Sequence, residues 1–142
     1  MSGDAAPLRW GVKRSLVRYV AGVPDGLLRA FDGAVADDEQ VFVFAADGSG
    51  ADGVRRFRGS LEFTAHEGML RIELSDPWVE SDVEGALLTV FSPMDDRRVA
   101  MARLTPAGDA AWTAELLPRG ADVLGPQYFA GTAIDPVRIG AG

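Results

Sequence analysis

The chain has 142 residues, 47% of them hydrophobic and 25% charged, with a formal charge of -7 and no cysteine. These are the proportions of an ordinary globular protein, long enough to bury a core as one domain over residues 1–142. Structural disulfides, cysteine-ligated metal and cysteine nucleophiles are excluded, and the acidic balance argues against a nucleic acid, whose phosphates need a basic face.

No apolar run approaches the ~20 residues of a membrane span. The opening MSGDAAPLRW has no basic region followed by an apolar one. A cytoplasmic location is therefore expected for the chain as given, and an extracellular or cell-surface one if it is a trimmed mature domain.

Pro7 to Val20 predicts a helix. Val12, Leu16, Tyr19 and Val20 recur at helical spacing, while Lys13, Arg14 and Arg18 take the other face. Pro7 suits its start, and Gly22 with Pro24 its end. Tyr19 is thus expected on the inward face of the last turn, where a core role competes with a functional one.

The remainder reads as short β-branched or aromatic strands: Leu27 to Phe31, Gln40 to Ala45, Val54 to Thr64, Met69 to Leu74, Trp78 to Asp82, Ala86 to Phe91, Arg98 to Leu104 and Trp112 to Leu117. Turns are expected at Asp32-Gly33, Asp47-Gly48-Ser49-Gly50, Glu84-Gly85, Pro93 to Asp96 and Pro106 to Asp109. Ser75-Asp76-Pro77 should end a strand, because proline lacks the ladder donor. Arg119 to Pro136, rich in glycine and proline, reads as a surface strap. The expected fold is mainly β, with antiparallel twisted sheets as a sandwich or barrel, one N-terminal α-helix and room for one further short helix.

The only histidine, His66, falls between alternating runs. Phe57, Gly59, Leu61 and Phe63 precede it on one parity, and Leu70, Ile72 and Leu74 follow it. His66, Glu67 and Gly68 are therefore a hairpin tip, on which an imidazole is raised toward solvent as a surface residue or a ligand. A Ser-His-Asp hydrolase has no Gly-x-Ser-x-Gly elbow here. Strand rise of ~3.3 Å per residue also puts Ser75 roughly 25 Å from the tip. The acidic stretches lack calcium-loop spacing, and Gly48-Ser49-Gly50 lacks the lysine and helix of a phosphate loop.

Two tyrosines and one histidine remain. Phenolate is a hard anionic ligand for ferric iron and a known axial ligand of haem. A free phenol has a pKa of ~10, so it needs the metal's charge or a hydrogen-bond donor to ionise at neutral pH. Tyr19, Tyr128 and His66 are a chemically sensible set, although composition alone does not bring them together.

Three blocks carry a resemblance. Leu8-Arg9-Trp10-Gly11-Val12-Lys13-Arg14-Ser15-Leu16-Val17-Arg18-Tyr19-Val20 is the first. Phe63-Thr64-Ala65-His66-Glu67-Gly68-Met69-Leu70, continuing through Leu74-Ser75-Asp76-Pro77-Trp78-Val79-Glu80, is the second, and Tyr128-Phe129-Ala130-Gly131-Thr132-Ala133-Ile134-Asp135-Pro136-Val137 the third. Their order and content resemble the HtaA domain, a haem-binding module of actinobacterial haem transport.

The resemblance implies a β-rich domain holding ferric haem through Tyr19 as the metal ligand. It implies that His66 supports this tyrosine by hydrogen bonding and that Tyr128 belongs to the cofactor site. Departures from the pattern are Leu16 for an aromatic, Ala65 for a glycine and the added Glu67. A carrier or store of haem needs no turnover, and its partners would be haem and a haem donor or acceptor protein. A homodimer is compatible with the sequence. The alternatives are an enzyme using the same pocket for haem chemistry or an apolar metabolite, and an HtaA-like interaction domain without haem.

Overall fold

The computed structural model describes residues 6–49 and 52–140. The elements in order are β1 (Leu8–Trp10), α1 (Arg14–Gly22), β2 (Leu27–Phe31), β3 (Ala34–Ala36), β4 (Phe42–Ser49), β5 (Arg55–Arg58) and β6 (Ser60–Ala65). A 3-10 turn (His66–Gly68) leads to β7 (Leu70–Asp82), β8 (Gly85–Ser92), β9 (Arg97–Pro106), β10 (Ala111–Leu116), α2 (Pro118–Leu124) and β11 (Ala133–Ile139). The fold is mostly β, as the alternation predicts.

Strands β7, β5, β4, β1, β11, β10, β9 and β8 pair in that order, and β8 pairs back to β7, closing an antiparallel barrel of eight strands. Closure leaves the ring without an edge. Strand β3 adds to β4, while β6 and β2 extend from β7 as a flap outside the ring. Trp10, Phe42, Phe44 and Phe63 are among the largest side chains that are fully buried.

The predicted helix from Pro7 to Val20 is corrected. Leu8 and Trp10 are buried and pair with β4 on one side and β11 on the other, so the barrel's need for a strand overrides the helical spacing. Val12 then takes a φ of 62°, which breaks any continuous helix. Starting at Arg14, the helix buries Leu16, Val17 and Val20. This phase moves Tyr19 off the inward stripe, and the residue is 49% exposed.

Further boundaries move for equally local reasons. Val54 to Thr64 divides at Gly59, whose φ is 146° and where a Cβ would lie 2.6 Å from the Ala34 nitrogen. Ser75-Asp76-Pro77 does not end its strand. It forms a bulge in β7, with Asp76 at φ 50° and its carboxylate accepting the Gly59 N–H. The bulge separates a first half of β7 paired with β6 from a second half paired with β5 and β8.

Asp47 to Ser49 lie within β4 rather than in a turn, and Gly50 lies outside the described residues. The expected strap from Arg119 to Pro136 contains most of α2 and the start of β11, which sits between β1 and β10 in the barrel. Pro118 at the first turn of α2 and a buried stripe of Gly120, Ala121 and Leu124 explain that helix. No helix of the described residues is long and apolar enough to cross a membrane.

Candidate functional site

Tyr19 and His66 meet where α1 ends beside the tip of the β6–β7 hairpin. The Tyr19 Oη lies 2.5 Å from His66 Nε2, and the ring centroids are 5.7 Å apart at a tilt of 54°. The two residues come from separate elements, 47 positions apart. With the phenol intact, its O–H donates to an unprotonated Nε2. With the phenolate, a protonated Nε2 donates to the oxygen, so the pair can hold the phenol proton within itself.

The tip is unusual backbone. His66 and Glu67 both take left-handed φ values, 55° and 56°, followed by Gly68 at 90°. For ordinary L-residues this conformation costs roughly 1–2 kcal/mol each. Local closure comes from the Met69 N–H donating to the His66 carbonyl at 3.0 Å. The Asp25 carboxylate also accepts the His66 N–H at 3.1 Å and the Glu67 N–H at 2.6 Å. These bonds hold the Asp25 carboxyl below the usual carboxylate range, the Glu67 N–H being the larger cause and the His66 N–H the next.

A cleft of about 440 Å³ opens beside this tip. Its walls include His66, Met69 and Leu70 from the hairpin, Met94 from the β8–β9 turn, and Val123 and Pro126 from α2 and the loop behind it. None of the α1 residues lines it, so the cleft lies between hairpin and α2 rather than between hairpin and α1. Met69 is 88% exposed and Met94 62%, giving the mouth of the cleft an apolar surface. Phe129, just beyond the cleft-lining loop, is 73% exposed.

Tyr128 is not brought into the pair. It is half-buried against the core, its N–H donates to the Gly125 carbonyl at 3.2 Å, and it makes no hydrogen bond or ring contact with Tyr19 or His66. Its place directly after the cleft-lining Gly125, Pro126 and Gln127 makes it a support for that wall. Lys13 Nζ is engaged with the Ala133 carbonyl at 3.2 Å, whereas Arg14 and Arg18 line a different cleft with Asp38 and Glu39.

The first and third sequence blocks form one structural clamp. The Asp135 carboxylate accepts the Arg14 N–H at 2.9 Å, capping α1, and the Asp135 N–H donates to the Val12 carbonyl at 3.0 Å. A Cβ on Gly11 would lie 2.3 Å from the Asp135 carboxylate oxygen, so a side chain there would push that carboxylate out of its place. The clamp sets the start of the helix that carries Tyr19.

Sequence reasoning names Tyr19 and His66 but misses Asp25. The Pro24-Asp25-Gly26 run signals a turn, yet nothing in the run shows that its carboxylate serves a hairpin 41 residues away. Among the described residues, no group of three or more His, Asp or Glu side chains could hold a metal ion.

A family model, Htaa, matches residues 5–140. The crystal structure of the N-terminal domain of HtaA from Corynebacterium glutamicum is similar with a TM-score of 0.78 at 22% identity, covering 97% of this chain and 97% of that one. The C-terminal domain of the same protein gives 0.74 at 22%, covering 95% and 94%. The heme binding protein HtaB from C. glutamicum gives 0.71 at 18%, covering 95% and 92%. At these identities the structural likenesses show a common fold. No curated protein matches the sequence.

Proposed function

The chain belongs to the HtaA family, and on that premise we propose that it is a haem-binding module that carries or stores ferric haem. One observation carries the reading: a solvent-facing phenol, Tyr19, stands 2.5 Å from the only imidazole in the chain, and that imidazole lines a cleft whose walls are both apolar and charged. The fold likeness to a heme binding protein supports the ligand class.

The residues present fit the group. Tyr19 would hold the iron, since its half-exposed ring leaves it accessible to a ligand at the surface. When bound, ferric haem would supply a Lewis-acidic iron that favours a phenolate ligand, a preference that would weaken on reduction. His66 takes the phenol proton at Nε2 and returns it as a hydrogen bond to the anionic oxygen. Leu70 and Val123 supply apolar surface on one side of the site. Tyr128 holds the wall from behind. A haem donor or acceptor would meet the open side, where Phe129 and Met69 are exposed.

The test is a titration of purified protein with ferric haem, followed in the Soret band. The parent is expected to saturate at one haem per chain, and Tyr19→Phe to lose that spectrum. His66→Ala should bind about 10–100-fold more weakly, the usual cost of removing a residue that orients a ligand. A Tyr19→Phe protein with the parent's spectrum and affinity would overturn the assignment.

A further inference from the structure

We propose that Asp25 is the positioning residue of this site, a carboxylate that locks the hairpin tip onto the end of α1 and thereby sets the Tyr19–His66 pair. The inference rests on the tyrosine-histidine reading above and extends it to a residue that touches neither iron nor the tyrosine.

A hydrogen bond between two rings on separate elements requires that those elements hold a fixed separation. The tip does not hold itself. His66 and Glu67 are successive left-handed residues with one local closing bond, from Met69 to His66, and such residues persist when surrounding contacts over-determine them. Their successive N–H groups point to one side as an anion-binding nest. The Asp25 carboxylate fills it, one oxygen to each N–H, at 3.1 and 2.6 Å.

Asp25 is in turn fixed to the helix that carries Tyr19. The Gly26 N–H donates to the Val23 carbonyl at 3.0 Å, closing a turn in which Pro24 presets the backbone. That turn folds tightly onto α1: a Cβ at Gly26 would lie 1.7 Å from the carbonyl oxygen of Val20, the neighbour of Tyr19. The position of Asp25 relative to Tyr19 is thus set by backbone contacts, and its position relative to His66 by two charge-assisted hydrogen bonds.

The charge argues for the same role. A carboxylate just past the C-terminal end of a helix faces the negative pole of the helix dipole, an unfavourable placement. The last turn of α1 has no basic residue to offset it. The compensating donors are those of the hairpin tip. The anion is therefore best accounted for by its partner across the site.

The experiment uses the ligand-free full chain, in which one histidine and two tyrosines make ring signals simple to assign by NMR. The parent should show a cross-relaxation peak between the Tyr19 and His66 rings, identified by its absence in Tyr19→Phe. In Asp25→Ala that peak should vanish and the His66 and Glu67 amides should exchange at least about tenfold faster, because each loses its acceptor. Amide shifts of barrel residues such as Trp10 and Phe44 should stay in place.

Should Asp25→Ala disturb the barrel as well, Asp25→Asn decides. It retains one acceptor oxygen and should give a weakened peak on an intact fold. A ring contact of parental intensity in a folded Asp25→Ala or Asp25→Asn protein would overturn the proposal.

Haem supplies the second readout. Asp25→Ala should weaken binding in the parent but leave affinity unchanged in a His66→Ala background, because Asp25 acts through His66. An equal loss in both backgrounds would reduce Asp25 to a structural residue and overturn the positioning role. A parent that binds no haem, yet loses its ring contact in Asp25→Ala, would sink the haem reading and leave this one standing.

Discussion

Two hairpin tips of this molecule solve the same geometrical problem in opposite ways. At the β8–β9 turn, Ser92 Oγ donates to the Asp95 carboxylate at 3.0 Å, the Asp95 N–H donates to the Ser92 carbonyl at 3.1 Å, and Asp96 is left-handed at φ 54°. Every partner lies within three residues. At the β6–β7 tip two successive residues are left-handed, and the carboxylate that holds them comes from the far end of α1. The first tip is self-contained and could sit on many hairpins. The second is correct only in this fold, which is what a site assembled from two elements requires, because strain at the tip becomes a way of referring His66 to Tyr19.

The largest test of that contrast lies outside both tips. Gly26→Ala would drive a Cβ to 1.7 Å from a backbone carbonyl that cannot rotate away. The turn must shift, and a loss of about 3 kcal/mol is expected, the upper range for overpacking. Urea denaturation at constant slope measures it. Gly22→Ala, four residues earlier, meets nothing within 4 Å and should instead gain roughly 0.5 kcal/mol as a better helix former. Parental stability in Gly26→Ala would mean that the tip is not referred to α1 through this turn.

The self-contained tip should respond less and only locally. Asp95→Ala leaves the Ser92 hydroxyl, on a residue 2% exposed, without its acceptor. A loss of about 1–2 kcal/mol is expected by thermal or urea unfolding, the cost of an unsatisfied buried hydroxyl. The Tyr19–His66 ring contact should be unchanged. If it disappeared, the two tips would be coupled and the contrast would fail.

The same distinction explains what could be read in the chain. Alternation over Leu61–Phe63 and Leu70–Leu74 reveals the β6–β7 hairpin because half-buried strands write their burial into every second residue. His66 follows as its tip, whereas the chemistry of phenolate leaves both Tyr19 and Tyr128 open and only the resemblance to the HtaA domain selects Tyr19. Leu8–Trp10 escapes because three residues are too few to display a period, and their burial depends on β4 and β11 closing around them. Pro136 in β11 suggests a loop, but the β10–β11 register shifts between Ala114 and Trp112, opposite Ile134 and Val137, leaving Pro136 at an irregularity that needs no donor. Asp25 is hidden for the strongest reason. Its role is a relation to backbone N–H groups, which every residue but proline has.

A smaller effect concerns the strain itself. Glu67→Gly removes the Cβ from a left-handed position and should raise stability by about 1 kcal/mol. Asp96→Gly, at the self-contained tip, should gain a similar amount. The two differ in combination with Asp25→Ala. Relief at Glu67 should offset part of the loss of the latch, giving a non-additive pair, whereas Asp96→Gly should simply add. Additivity in both double variants would show that Asp25 does not bear the strain of the tip.

The smallest expected effect is in acid. Asp25, Asp37 and Asp82 all have carboxyls held below the usual carboxylate range, by the Glu67 N–H, the Val41 N–H and the Arg103 guanidinium respectively as the largest causes. A carboxyl with a lowered folded-state pKa contributes stability that is complete above its unfolded pKa and is lost as pH falls through the folded value. Stability arising from these groups should therefore be level from neutral pH to about 4 and decline below it. Asp37 serves Glu39 and Val41 within its own loop, with Arg9 as an additional partner, so its protonation should shift only nearby amides. Protonation of Asp25 should move the His66 and Glu67 amide protons together, in one step below the usual aspartate range. A midpoint within or above that range would show that the tip amides do not hold the carboxylate, leaving the strained hairpin without the anion that fixes it to α1.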